Sequence, residues 1–284
     1  MDKDSNYEVY AVQYAYRPDR KRHETFITNA WTDPLHGTNQ PISYYVWAIV
    51  NSERTIVVDT GFNSAEATRR REQSGEVWRP EMRCSPVEGL RMIGVDAAKV
   101  ADVIITHLHF DHAGTLGDFP VARFHLQEQE MQFATGPCMA HSYFNGAYTV
   151  DHVVDMVRQV YCGRVVFVAG DAEIAPGVTV HCIGGHTLGI QCVRVRTARG
   201  WVVLASDASH MYDNFEEMAP YPIVSDIRTM LDGFERLKGL AESSSHIIPG
   251  HDPLVMARYP AANLSSEGVV VRLDVDPTNA DGLH

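Results

Sequence analysis

Four residues able to ligate a metal stand within six positions, in the run Thr106-His107-Leu108-His109-Phe110-Asp111-His112-Ala113-Gly114. The run follows the short apolar segment Val103-Ile104-Ile105, which reads as a buried strand. In extended backbone, His107 and His109 project to one side, and a turn through Phe110 brings Asp111 and His112 near a second point. Neutral imidazole and carboxylate suit Zn²⁺, with Mn²⁺, Fe²⁺ or Co²⁺ also accommodated. The same grammar of strand, glycine and ligand recurs at Gly184-Gly185-His186, Ser206-Asp207-Ala208-Ser209-His210 and Gly250-His251-Asp252. Glycine permits the sharp turn and close backbone approach that such a site needs. The chemistry implied is that of a metal centre assembled at strand ends.

The elements that must position these residues alternate in type. Tyr44–Val50 and Thr55–Asp59 read as a hairpin about Asn51–Arg54. Ser85-Pro86-Val87-Glu88 combines an N-cap, a proline in the first turn and a capping-box glutamate, opening a helix through Ile93. Val150, Val153, Val154, Val157 and Tyr161 share one helical face. Ile227, Met230, Leu231, Phe234 and Leu237 form the clearest amphipathic helix. Val178–Ile183, Trp201–Leu204 and His246–Ile248 read as strands. No linker, low-complexity tract or repeat divides the chain, so one domain over 1–284 is expected, its core at about 40–260 with short terminal extensions. Strands and helices interleave with hairpins, which predicts an α/β protein with mixed sheets.

Composition narrows the function classes. The 284 residues carry 24 Lys and Arg against 36 Asp and Glu, a net charge of −12, with 14 histidines and 5 cysteines. An acidic chain without a basic block argues against nucleic-acid binding. Arg69-Arg70-Arg71, the densest basic run, reads as a solvated helix face. No apolar stretch approaches the ~18–20 residues of a membrane span. Met1–Ser5 shows no apolar leader. The cysteines, odd in number and without a C-x-x-C pair, fit reduced thiols and a cytoplasmic location. Any metal must be held by histidine and carboxylate.

The motif His107-Leu108-His109-Phe110-Asp111-His112 resembles the H-x-H-x-D-H signature of the metallo-β-lactamase superfamily. The later segments match in order as far as His251, and Val58-Asp59-Thr60-Gly61 fits the family's early aspartate motif. The resemblance implies a four-layer αββα sandwich and a dinuclear zinc-type site. His107, His109 and His186 would hold one metal, Asp111, His112 and His251 the other, with Asp207 bridging and Asp59 supporting the ligand loop from behind. HLHFDHAG, Ser206–Ser209 and Gly250-His251-Asp252 are most similar to the N-acyl-homoserine lactonase group. That similarity implies a hydroxide between the metals attacking a lactone or ester carbonyl, with Asp111 passing a proton to the leaving alkoxide.

One departure stands out. Where that group has a tyrosine three residues after the bridging aspartate, this chain has His210, with Tyr212 two positions on. His210 is the candidate donor to the substrate carbonyl. Phe110 and Tyr212 are the candidate substrate contacts. Tyr44, Tyr45 and Trp47 either line an entrance or pack in the sheet, and Cys138, Met139, His141, Tyr143 and Phe144 form a candidate lid. Small esters, thioesters or cyclic amides are the alternative substrates, and a metal-binding interaction protein without catalysis is the third reading. A homo-oligomer is compatible with all three. His125, His181 and His246 read as structural; His23, His36, His152 and His284 belong to no motif.

Overall fold

Ile42–Val50 reads ISYYVWAIV, and eight of its nine residues are buried. An unbroken run of β-branched and aromatic residues suits a strand covered on both faces. The computed structural model describes residues 6–27 and 32–278. Met1–Ser5 and His284, which figure in the sequence reading, lie outside the described residues.

Thirteen strands are described: β1 (Glu8–Arg17), β2 (Ile42–Val50), β3 (Thr55–Val58), β4 (Glu81–Met82), β5 (Asp102–Ile104), β6 (Arg123–Gln127), β7 (Val165–Val168), β8 (Ala172–Ala175), β9 (Val178–Cys182), β10 (Gln191–Thr197), β11 (Gly200–Ser206), β12 (Ile247–Pro249) and β13 (Val270–Arg272). The first sheet runs β13-β1-β2-β3-β5-β6-β7, with β4 paired to β1; the second runs β12-β11-β10-β9-β8. Both are mixed. Strands β13 to β3 pair antiparallel and β3 to β7 parallel, while the β11–β12 pair is the parallel one in the second sheet.

The period of two along β2 divides the core. Tyr45, Trp47 and Ile49 join Val193 and Val203 of the second sheet in one cluster. Tyr44, Val46 and Ala48 face the other way, joining Leu90, Phe119 and Met156 in a second cluster beneath the helices. Helix Ile227–Leu240 buries Met230, Phe234 and Leu237 in the first cluster. The layers are therefore α, β, β and α. The capping box at Ser85 is formed, and the helix it opens runs Pro86–Met92.

Two expectations are corrected. Helix Val150–Tyr161 buries Val153 and Met156, while Val150 and Tyr161 are 75% and 89% exposed. The valine-rich run offered two apolar stripes, and packing under the sheet selected the one that Met156 completes. Second, the chain before residue 40 is no mere extension of the core. β1 lies between β13 and β2, with Tyr10 opposite both Arg272 and Ala48. Among the described residues no helix is long and apolar enough to cross a membrane, and all five cysteines are free.

Candidate metal centre

The seven expected ligands leave the sheets at strand C-termini or the turns beyond them. His107, His109, Asp111 and His112 follow β5, and His186 lies in the turn between β9 and β10. Asp207 follows β11 and His251 follows β12. The exit from β11 bends through left-handed backbone at Ser206, φ 47°, and the end of β3 does the same at Asp59, φ 61°. Such conformations carry strain of about 1–3 kcal/mol and persist where surrounding packing enforces them. Gly250 answers a different need. A Cβ there would lie 2.5 Å from the Ser206 carbonyl and 2.8 Å from Asp207 Oδ1, so only glycine lets β12 approach the ligand loop.

The structure brings all seven together, buried. His186 Nε2 lies 3.2 Å from His107 Nε2 and 3.0 Å from His109 Nδ1. His112 Nε2 and His251 Nε2 lie 3.7 and 3.6 Å from Asp111 Oδ2. Asp207 stands between these groups. Its Oδ2 is 3.3 Å from His186 and 3.8 Å from His107, and its Oδ1 is 3.1 Å from His112 and 3.0 Å from His251.

The atoms converge without satisfying one another. His112 Nε2 and Asp207 Oδ1 are 3.1 Å apart, yet neither has a hydrogen-bond partner and both are buried. Polar atoms left this way cost several kcal/mol unless something else engages them. Donors of N and O type aimed at common points fit a pair of divalent cations.

Hydrogen bonds behind the cluster fix the rings. Nδ1 of His112 donates to Asp59 Oδ2 at 2.8 Å, Nδ1 of His186 to the Ile223 carbonyl at 2.7 Å, and Nδ1 of His251 to the Ser43 carbonyl at 2.7 Å. His107 Nδ1 contacts Thr106 Oγ1 at 3.1 Å, and that hydroxyl donates to Asp59 Oδ2 at 2.8 Å. With the Nδ1 proton held in this way, the neutral ring has its lone pair on Nε2, the nitrogen that would take a metal. Burial first, then neighbouring imidazoles, hold His107 well below the ordinary histidine pKa, hence neutral. Burial would do the same to His112, but the carboxylates of Asp207, Asp111 and Asp59 outweigh it and raise that pKa well above the usual.

A cavity of about 540 Å³ opens onto Asp111, Asp207, His210 and His251. Phe110 lies on its wall as expected, its ring 3.6 Å beneath the Arg70 guanidinium. Tyr44 and Tyr143 line it too, while Tyr45 and Trp47 pack between the sheets. From the candidate lid, Tyr143 donates to the Pro222 carbonyl at 2.6 Å across the cavity rim.

Tyr212 is a correction. Helix Tyr212–Glu216 starts at this residue and turns it into the core. There its N–H meets Asp252 at 3.0 Å and its ring lies 3.9 Å from Arg258, away from the cavity wall. Arg70 is another. Its guanidinium bonds Glu66, Gly146, Tyr148 and Thr149 rather than standing in solvent.

His210 lines the cavity with Nε2 at 2.9 Å from Asp207 Oδ2, its ring stacked 3.8 Å from Tyr221. Its Nδ1 is buried without a partner. Of its two ring nitrogens, Nε2 is the one that meets Asp207. That nitrogen also groups with Asp207 and His251 as a possible metal-holding set.

Glu130 was missed by sequence reasoning. Fully buried, it accepts from Leu108 N–H at 2.9 Å, Tyr148 Oη at 3.0 Å and Thr187 Oγ1 at 2.5 Å. It thus ties the loop of His107 and His109 to the loop of His186. No local motif marks a glutamate in a helix for that task.

Comparison with known proteins finds relatives in sequence and in fold. An N-acyl homoserine lactonase of Bacillus cereus is 27% identical over 234 residues, 79% of this chain and 86% of the relative. The N-acyl homoserine lactonase AttM of Azorhizobium caulinodans is 27% identical over 227 residues, 77% and 85% of the two chains. A solved N-acyl homoserine lactone hydrolase, with N-hexanoyl-L-homoserine bound at its catalytic metal center, superposes at TM-score 0.71 with 22% identity, covering 89% and 96%. AidC, a dizinc quorum-quenching lactonase, superposes at 0.66 with 14% identity, covering 89% and 92%. The family model of the metallo-beta-lactamase superfamily matches residues 39–251, and the chain belongs to that superfamily.

Proposed function

We propose that the protein is a dinuclear metal-dependent hydrolase that opens a lactone ring to a hydroxy acid. The observation that carries this reading is Asp207, one carboxylate oxygen facing His186, the other facing His112, and His251 within reach of both, on the wall of an open cavity. His107, His109 and His186 would hold one ion and Asp111, His112 and His251 the other, with Asp207 shared. Zinc best matches the donor set. Bound divalent ions supply Lewis acidity and a water nucleophile at neutral pH.

The chain's own groups set the rest. His210 is held neutral: burial outweighs the neighbouring Asp207 carboxylate, and the imidazoles of His251 and His186 add to the lowering, so its pKa falls well below the ordinary value. Its Nε2–H, 2.9 Å from Asp207 Oδ2 on the cavity wall, is shared with the substrate carbonyl and polarises it. Asp111 lines the cavity beside His112 and His251. It receives a proton from the attacking water and returns it to the ring oxygen as the carbon–oxygen bond breaks. Phe110, covered by Arg70 and edged by Trp78 at 5.4 Å, gives the cavity an apolar wall.

The test is a metal assay joined to a substrate panel. Purified protein should carry about two divalent ions per chain and hydrolyse lactones faster than acyclic esters, thioesters or cyclic amides. Asp207→Ala, still folded, should lose metal and activity together. Full activity and metal content in that variant would overturn the assignment; faster cleavage of thioesters or amides would replace lactones as the substrate class.

A further inference from the structure

The cavity that opens onto the ligand cluster also takes in Arg17, Arg20 and Arg70. Two of these guanidiniums have companions. Arg70 donates to Glu66, two backbone carbonyls and Thr149. Arg17 pairs with Asp19 at 3.0 Å and Glu24 at 3.2 Å.

Arg20 differs. It is only 8% exposed, and among the described residues it forms no ion pair. Among the described residues its one side-chain hydrogen bond runs from Nη2 to the Glu24 carbonyl at 2.6 Å. The Glu24 carboxylate accepts from Arg17 and from the Lys21 N–H at 2.7 Å and makes no ion pair with Arg20. Burial pulls the Arg20 pKa below its ordinary value, against the pull of Tyr44, Glu24 and Asp207. A guanidinium still cannot shed its proton near neutrality, so a full charge sits in the cavity wall with most of its donors uncommitted.

Burying a charge unpaired is expensive, and proteins keep such an arrangement where a ligand completes it. The position is fixed from behind. The Arg20 carbonyl accepts from Gln40 N–H at 2.7 Å, and Lys21 bridges to Asn39. Tyr44, beside Arg20 on the same wall, takes a hydrogen bond from Trp78 Nε1 at 3.0 Å.

We propose that the substrate carries a carboxylate in addition to the bond that breaks, and that Arg20 binds it in the cavity. The inference rests on the hydrolase reading in one respect, that the bond breaks at the ligand cluster. One uncommitted guanidinium matches one negative charge, and its planar fork fits a carboxylate. A phosphate monoester, near two charges at neutral pH, would bring excess negative charge toward Asp111 and Asp207. Arg20 is then a specificity determinant, selecting anionic over neutral lactones.

The experiment compares two probes of equal size, 5-oxotetrahydrofuran-2-carboxylate and its carboxamide. The acid should exceed the amide in kcat/KM by about tenfold or more, the worth of a charge-assisted hydrogen bond. Arg20→Gln should erase that ratio, Arg20→Lys should retain part of it, and high salt should shrink it in the wild type. A second readout needs no turnover. Calorimetric binding of 3-oxocyclopentane-1-carboxylate, which cannot be ring-opened, should exceed that of its carboxamide in wild type and match it in Arg20→Gln.

Equal handling of acid and amide by the wild type, or a preference that survives in Arg20→Gln, overturns the proposal. Stronger competition by a phosphorylated lactone than by the carboxylate overturns the choice of carboxylate. If no lactone is opened yet the ketone acid binds in an Arg20-dependent way, the hydrolase reading fails and the Arg20 assignment stands. If lactones are opened without acid preference, the reverse holds.

Discussion

Asp59 Oδ2 accepts a 2.8 Å hydrogen bond from His112 Nδ1, and its Oδ1 accepts a 2.7 Å bond from the backbone N–H of Thr106. One fully buried carboxylate thus orients a ligand ring and pins the start of the loop that carries four ligands. Asp59→Asn keeps the shape but puts an amide donor against one of those donors. Metal affinity, read by chelator competition, should fall about 10–100-fold with a parallel loss of kcat/KM. Unchanged affinity would mean that Asp59 merely caps its turn.

Glu130 reaches both ligand loops without touching the cluster. In Glu130→Gln the amide NH₂ faces hydroxyl or backbone donors whichever way it turns, leaving them unsatisfied in a buried place. Denaturant unfolding of the metal-free protein should show a loss of about 1–3 kcal/mol. Metal affinity should also fall, since the His109 and His186 loops lose their common anchor.

The acid limb of stability should contain a contribution from Glu66. Burial would raise its pKa, but hydrogen bonds from Arg69, Thr149 and Arg70 outweigh burial and bring it from the usual 4.5 to about 2. A carboxyl depressed in the folded state stabilises above its unfolded pKa and loses that stabilisation as pH falls toward the folded value. Wild type should therefore exceed Glu66→Gln by up to about 3 kcal/mol at neutral pH. The two should converge between pH 4.5 and about 2, as followed by urea midpoints across that window.

His210→Phe preserves the stack on Tyr221 and removes Nε2. If that N–H polarises the carbonyl, kcat should drop about 10²–10³-fold while KM changes little. An accompanying loss of metal would instead identify His210 as a ligand beside Asp207 and His251, and metal analysis of the same preparation decides between the two.

How much of this was legible in the chain follows from locality. His107, His109, Asp111 and His112 declare themselves because four ligands within six positions form a pattern in one dimension. His186, Asp207 and His251 became readable through the repeated sequence of strand, glycine and ligand. The apolar run Tyr44–Val50 read as a strand of the hairpin, and the strand extends over Ile42–Val50.

Other features were decided only by packing. Tyr212 and His210 are two residues apart, and a helix start between them sends one into the core and leaves the other on the cavity. Arg20 and Glu130 lie far along the chain from the ligands they stand near. Their roles arise from sheet order and from what the neighbouring chain leaves unpaired, and no spacing rule encodes either. Sequence named the atoms able to hold metal, because ligand chemistry resides in side-chain type and short-range spacing. Tertiary structure alone decided the charge in the cavity wall, because a buried guanidinium counts as unpaired only when every element around it is in place.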